Sequence, residues 1–204
     1  MKKFPAIAVL EFKDIAAGMH ATDAMLKKAP ISFVKSGTIT EGRYMTLIGG
    51  TTASVEESFN EGLFHGAANV IDHVFLADVH PHLHDAILGQ RRTGGTGSIG
   101  IVETPTASAN IRSAEMVLKG TPVTLVEIRL ADQGLAGKGL SLYQGELHDV
   151  EAAIDIVLSH LVRTRSDVIY KIISSPTEAL LAQIEGGTRF SEAGLLELDG
   201  ERIG

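Results

Sequence analysis

Cysteine is absent from this 204-residue chain, and so is tryptophan. Without cysteine there is no disulfide, no thiolate metal site and no cysteine-held iron–sulfur cluster. That absence accords with a reducing cytosol. Aromatic residues make up only 5% of the chain, so a core has to be built from Ala, Val, Ile and Leu in thin, closely packed layers. A basic excess is also missing. Eighteen Lys and Arg against 25 Asp and Glu leave a formal net charge of −7, which argues against a nucleic-acid partner, because phosphate contacts need a basic face. Met1-Lys2-Lys3-Phe4-Pro5 leads into an apolar run that Glu11 interrupts. No stretch approaches the ~20 apolar residues of a membrane span, and no signal-peptide core with a cleavage site is present. The expectation is therefore no membrane partner. Aliphatic residues are what the chain has in quantity. Hydrophobic residues reach 44% and mean hydropathy is +0.16, high for a free monomer and suited to burial between subunits.

The chain repeats itself. Ala6-Ile7-Ala8-Val9-Leu10-Glu11 resembles Ser98-Ile99-Gly100-Ile101-Val102-Glu103. Glu11 and Glu103 stand 92 positions apart, as do Met19 and Ile111, Leu26 and Leu118, Lys27 and Lys119, and Pro30 and Pro122. Farther on the spacing becomes 95, pairing Gly42 with Gly137, Leu47 with Leu142, Gly50 with Gly145, Val55 with Val150 and Pro81 with Pro176. The second copy has thus gained three residues between Pro122 and Gly137. A generic α/β pattern met twice does not readily give one shifted spacing over so many matches. Residues 5–88 and 98–185 are read as the two domains, 89–97 (Gly-, Thr- and Arg-rich) as a flexible linker, and 186–204 as a tail.

Each copy reads β-α-β-β-α-β-α. A strand (about 5–12 and 98–104) precedes a helix (about 14–28 and 106–119) that Pro30 or Pro122 stops. Met19, Thr22, Met25 and Leu26 form the expected buried stripe, at the spacing of Ile111, Ala114, Val117 and Leu118. A hairpin follows, then a second helix with Thr51 or Thr52 as its cap, a fourth strand and a short last helix. The expected fold class is α+β: an antiparallel sheet in each copy, with helices packed on one face.

Three motifs invite chemistry. His80, His82 and His84 alternate, which on an extended strand sets them on one face as weak metal-ligand candidates. Pro81 ends the strand, and a helix after it splays the imidazoles. Gly95-Thr96-Gly97-Ser98-Ile99-Gly100 fits G-x-G-x-x-G but precedes a strand, the reverse of the dinucleotide context. The phosphate-loop pattern around Gly137-Lys138 fails at Asp132 and Gly139. No nucleophile turn with a Ser-His-Asp set is present. The reading is not an enzyme, with no metal and no cofactor.

The opening strand, the run Ala21-Thr22-Asp23-Ala24-Met25-Leu26-Lys27, the Gly-bearing hairpin tips and the strand ending in His80-Pro81 resemble the bacterial microcompartment shell domain. The resemblance covers about residues 5–185 and is closest to unpermuted tandem-domain shell trimers of the propanediol-utilisation type, a subgroup matched at Thr38-Ile39-Thr40-Glu41-Gly42 and Gly134-Leu135-Ala136-Gly137-Lys138. It implies a ferredoxin-like-related fold and a homotrimer whose six domains form a pseudohexagonal plate. Such plates tile edge to edge with other shell proteins in the bacterial cytoplasm, and small metabolites pass a central pore. The residues implied at the pore are Thr40, Glu41, Gly42, Gly134, Leu135, Ala136, Gly137 and Lys138. Glu41 and Lys138 are candidates for rings of opposite charge; the plain alternative is ordinary turns with solvated charges. Lys27 and Lys119 match an edge lysine, facing His80-Pro81 and Ser175-Pro176; the plain alternative is a cation complementing a helix C-terminus. Relatives with an iron–sulfur cluster carry a cysteine where Thr40 stands, so none is expected here. Two other classes stay open: a soluble trimeric small-molecule-binding or signalling protein, and a metal enzyme using the histidines. The tail beyond Thr188 reads equally as an edge strand, a docking arm or loose chain.

Overall fold

β1 (Ala6–Phe12) is buried along its whole length, which demands cover on both faces, since successive side chains point to opposite sides. A computed structural model describes residues 5–161, 167–196, 198 and 200. After β1 come α1 (Ile15–Lys28), β2 (Phe33–Thr38), β3 (Tyr44–Gly50), α2 (Thr52–Gly66), β4 (Val70–Leu76) and α3 (Pro81–Ile87). The second copy repeats the series as β5 (Ser98–Thr104), α4 (Ala107–Gly120), β6 (Thr124–Leu130), β7 (Gly139–Gly145), α5 (Leu147–His160), β8 (Ile169–Ile173) and α6 (Glu178–Gly186). Each copy makes one antiparallel four-stranded sheet, ordered β2-β3-β1-β4 and β6-β7-β5-β8.

Except for α5, the helices start where a side chain answers the free amides of the first turn. Asp14 accepts from the Ala17 amide at 2.9 Å, Thr106 from Ala109 at 3.1 Å and Thr51 from Ser54 at 3.3 Å. Ala6, Ala8, Leu10 and Phe12 pack with Ala21, Met25, Val55 and Phe59, between the first sheet and its two long helices. Ile7, Val9 and Leu47 take the other face. There they join α3 (Leu83, Ala86, Ile87) and continue into the second copy through Ile111, Val117, Leu125 and Ile128. The long helices share one face, as expected, and the short third helix lies opposite. The two copies share one core.

Strand register fixes the repeat. Ala6 opposes Gly50 and Ser98 opposes Gly145, in agreement with spacings of 92 and 95. The three added residues lie in the hairpin loop, which runs 39–43 in the first copy and 131–138 in the second. The fourth strand departs from the expected pairing. Leu76 opposes Ile7, and Ile173 opposes Ile99, so the true spacing there is 97. Pro176 therefore corresponds to Val79, and Thr177 to His80; each of the latter two caps its last helix. The match of Pro81 with Pro176 is a coincidence of composition.

Two further expectations need correction. The stripe on α4 is buried, with Ile111 at 0% and Leu118 at 7% exposure, but on α1 Met19 is 57% and Leu26 44% exposed; Gly18, Ala21, Thr22 and Met25 are the buried residues. The linker is tied down. The Arg92 amide donates to the Val126 carbonyl at 3.1 Å. The Arg91 guanidinium donates to the last carbonyls of α6, at Ile184 and, at 2.7 Å, at Glu185. A cation at those carbonyls complements the helix dipole. Of the tail, Thr188 accepts from Arg129 of β6 and Arg189 binds Asp132 of the second hairpin loop, while Phe190, Leu195 and Leu198 are exposed; residues 197, 199 and 201–204 lie outside the described ones.

Candidate functional site: paired loops and an interdomain seam

The two hairpin loops meet. In the shorter, the Ile39 amide donates to the Arg43 carbonyl at 2.9 Å, and Glu41 and Gly42 turn the chain with φ of 66° and 70°. In the longer, the Ala131 amide donates to the Lys138 carbonyl at 3.0 Å, and Ala131, Gly134, Ala136 and Gly137 all have positive φ. For a non-glycine residue that conformation costs on the order of 1–2 kcal/mol, so Glu41, Ala131 and Ala136 need support from their surroundings. Thr40 supplies part of it. Its hydroxyl accepts from the Gly137 amide at 2.7 Å and lies a long 3.5 Å from the Ala131 carbonyl. Gly137 is favoured by its φ of 80°, and the Arg43 guanidinium lies over its α-carbon.

The charged loop residues are paired. Glu41 binds Arg43 at 2.7 Å, and Lys138 binds Glu103 at 2.8 Å. Thr40, Glu41 and Gly137 are thus brought together. Arg43 and Glu103, which complete the arrangement, were missed in the sequence because a loop arginine and a strand glutamate carry no motif. Gly42, Gly134, Leu135 and Ala136 complete the turns. No described pair joins Glu41 to Lys138. As for an iron–sulfur cluster, the Thr40 hydroxyl is no thiolate and is already engaged, so the residues present do not fit one.

A second constellation runs along the seam between the copies. The N-terminus of α4 sits on the first sheet, and the Glu11 carboxylate accepts from the Ser108 amide at 2.6 Å. Glu11 is fully buried and its second oxygen has no described partner. Burial raises its pKa above the ordinary 4.5; the Ser108 hydroxyl and amide oppose that and nearby Asp72 adds to it. Asp72 accepts from Thr106 at 2.5 Å and from Arg112 at 3.1 Å, and Arg112 also reaches the His73 carbonyl. Buried Glu115 accepts from the His80 amide at 2.9 Å and pairs with Lys119 at 2.6 Å. Lys119 in turn donates to the Asp78 carbonyl at 2.9 Å.

The two lysines expected at an edge therefore differ. Lys119 is built into this seam, next to Asp78 and His80. Lys27 pairs with Asp23, at 2.5 Å on an exposed helix face, and with no other carboxylate among the described residues. Ser175 is exposed and Pro176 half-buried, with no lysine bound to them among the described residues. His80 caps α3 by accepting from the His82 amide at 3.2 Å, Pro81 opens that helix, and His84 pairs with Asp85 at 3.4 Å. The rings of His80 and His82 stay in edge-on contact, with centroids 5.0 Å apart, while His84 is turned to Asp85. Among the described residues no His, Asp and Glu group is arranged to hold a metal, and no helix is long and apolar enough to cross a membrane.

A doubled four-stranded α+β unit with glycine-bearing loops side by side defines a class, and comparison identifies it. The BMC domain family model matches residues 6–79 and again 98–176. The chain is 31% identical over 183 residues to the bacterial microcompartment shell protein PduT of Citrobacter freundii, covering 89% of this chain and 98% of that one. Among solved structures, a microcompartment protein from Desulfitobacterium hafniense has a TM-score of 0.74 at 31% identity, over 86% of this chain and 97% of its own. A fused permuted hexameric shell protein of the RMM microcompartment shares the fold, with a TM-score of 0.56 at 20% identity over 78% and 82% of the two chains. This chain belongs to the BMC-domain family of bacterial microcompartment shell proteins, as a member with two such domains in tandem and no cysteine.

Proposed function

We propose that this protein is a structural tile, not an enzyme, and that three copies close into a plate of six domains in the shell of a microcompartment in the bacterial cytoplasm. One observation carries the reading: positions buried in the seam inside the chain are exposed where the same seam lacks its other half. On α4, Ile111 and Leu118 are buried, whereas their counterparts Met19 and Leu26 on α1 are exposed. On the first sheet Val9, Glu11 and Asp72 are covered by α4; their counterparts Ile101, Glu103 and Ile169 on the second sheet are half-buried or exposed. An exposed α1 on one copy and an exposed sheet on the other are the two sides of one head-to-tail interface, and such interfaces close into rings when the rotation permits.

In that plate residues 5–88 and 98–185 act as alternating domains, joined by 89–97. The loops holding Thr40–Gly42 and Gly134–Lys138 stand nearest the axis and line a pore for small metabolites. Glu41 and Lys138, already paired with Arg43 and Glu103, give the rim balanced charge. Lys27, Lys119, His80, Pro81, Ser175 and Pro176 lie toward the outer edge, where other shell proteins abut. A net charge of −7 leaves nucleic acid out, and no iron–sulfur cluster is held.

Light scattering with electron microscopy of the purified protein tests this. The expected result is a particle of three times the 21.6 kDa chain mass that packs into hexagonal sheets when concentrated. A stable single chain, or a trimer that never tiles, contradicts it.

A further inference from the structure

A cleft of about 580 Å³ lies between the two halves of the chain, within the size range of small-molecule sites. Met45 and Leu47 of the first sheet form its floor, above fully buried Val9, with Ile87 of α3 and Ile128 of β6 as apolar walls. It needs one chain only.

The space exists because of Gly37. Gly37 and Lys35 alternate onto the same face of β2 and both line the cleft. Neither backbone nor packing demands glycine at 37: its φ is not positive, and a Cβ would meet no heavy atom within 4 Å. In the second copy the same position holds Arg129. That side chain is only 7% exposed, and its guanidinium is held by Asp132 at 2.7 Å, the Gln133 carbonyl at 3.0 Å and the Thr188 carbonyl at 3.3 Å. One copy fills this position with a bonded side chain, and the other leaves it empty.

The charge of the lining is positive. Lys35, Arg129 and Arg189 face the single carboxylate of Asp132. The two arginines both bind Asp132, whereas Lys35 has no ion-pair partner among the described residues. An apolar floor beside an unpaired rim cation suits an amphiphilic anion.

We propose that this cleft binds small organic anions, with a carboxylate at Lys35 and an aliphatic body on Met45 and Leu47. Hexanoate is the probe, with hexylamine as its cationic counterpart. The chain contains five methionines, and Met45 is the one among the described residues that lines the cleft, so methyl-labelled methionine gives a local NMR reporter in the assembled protein. Hexanoate should shift the Met45 methyl signal saturably and leave Met25 and Met116 in place, and hexylamine should not shift it. Lys35→Gln should weaken binding about three- to five-fold, the effect of a partly exposed ion pair. Gly37→Ile should fill the cleft and abolish the shift without lowering the melting temperature. The proposal is overturned by the absence of a saturable Met45 shift, by an equal response to hexylamine, or by unchanged binding in Gly37→Ile. None of these readings depends on whether the protein tiles.

Discussion

Glu11 and Glu103 were visible in the sequence as a matched pair, yet their environments differ completely. Glu11 is sealed under α4 with one oxygen bonded to the Ser108 amide, while Glu103 answers Lys138. No property of the two residues could separate them, because the difference comes from which neighbour each copy has. The raised pKa of Glu11 has a consequence for stability. The unfolded chain ionises this group near 4.5 and the folded chain at higher pH. The group's contribution is thus full below 4.5 and is lost as pH rises through the folded value. Thermal unfolding of Glu11→Gln should show a smaller fall in melting temperature from pH 4.5 to 7.5 than the unmodified chain shows. Equal slopes would mean that Glu11 is ionised at no cost in the fold. At Thr40 the prediction concerns the loops. Thr40→Val deletes the acceptor for the Gly137 amide at a cost of about 1 kcal/mol, and Thr40→Ser keeps it. Hydrogen exchange across 131–138 should speed up in the valine variant and remain unchanged in the serine variant.

Element by element, most of the architecture was legible. The repeat spacings of 92 and 95 mark true register over three strands of each copy, apart from the start of β6, where a bulge between Leu125 and Glu127 shifts it by one, and the caps at Thr51 and the stops before Pro30 and Pro122 fall where local chemistry sets them. The fourth strand was misaligned because two prolines happen to stand 95 apart. Proline stops a strand but carries no register, and backbone pairing with β1 and β5 decides it. The stripe on α1 was legible as apolar but not as exposed, since amphipathic spacing says which residues share a face and not whether a partner is on the same chain. Here the two helices make opposite predictions. Ile111→Ala opens a cavity in the shared core and should cost roughly 2–5 kcal/mol of folding stability in denaturant titrations. Met19→Asp should cost the isolated chain less than about 0.5 kcal/mol and yet shift the particle from three chains to one in sedimentation velocity. A destabilised Met19→Asp monomer would place α1 in the core instead of at an interface.

At the scale of the molecule, two domains in one chain give one seam of each kind: a covalently guaranteed seam between β1–β4 and α4, and an open one between β5–β8 and α1. The sequence made the duplication plain. It could not show that α4 seals the first seam through Glu11, Asp72, Arg112 and Glu115, because those partners lie in different copies and at no common spacing. The same logic locates the open seam's contacts. Lys119 donates to the Asp78 carbonyl inside the chain. Lys27 corresponds to Lys119 by the repeat spacing of 92 and Ser175 to Asp78 by strand register, so in the proposed ring Lys27 of one copy should lie beside Ser175 of the next.

A protein without cysteine allows that contact to be tested without background. In a chain carrying Lys27→Cys and Ser175→Cys, a short bis-maleimide should link neighbours, and a denaturing gel should show covalent dimers and a ladder that ends at three chains. Single chains alone, or a ladder that runs past three without stopping, would contradict a closed ring built by repeating the internal seam.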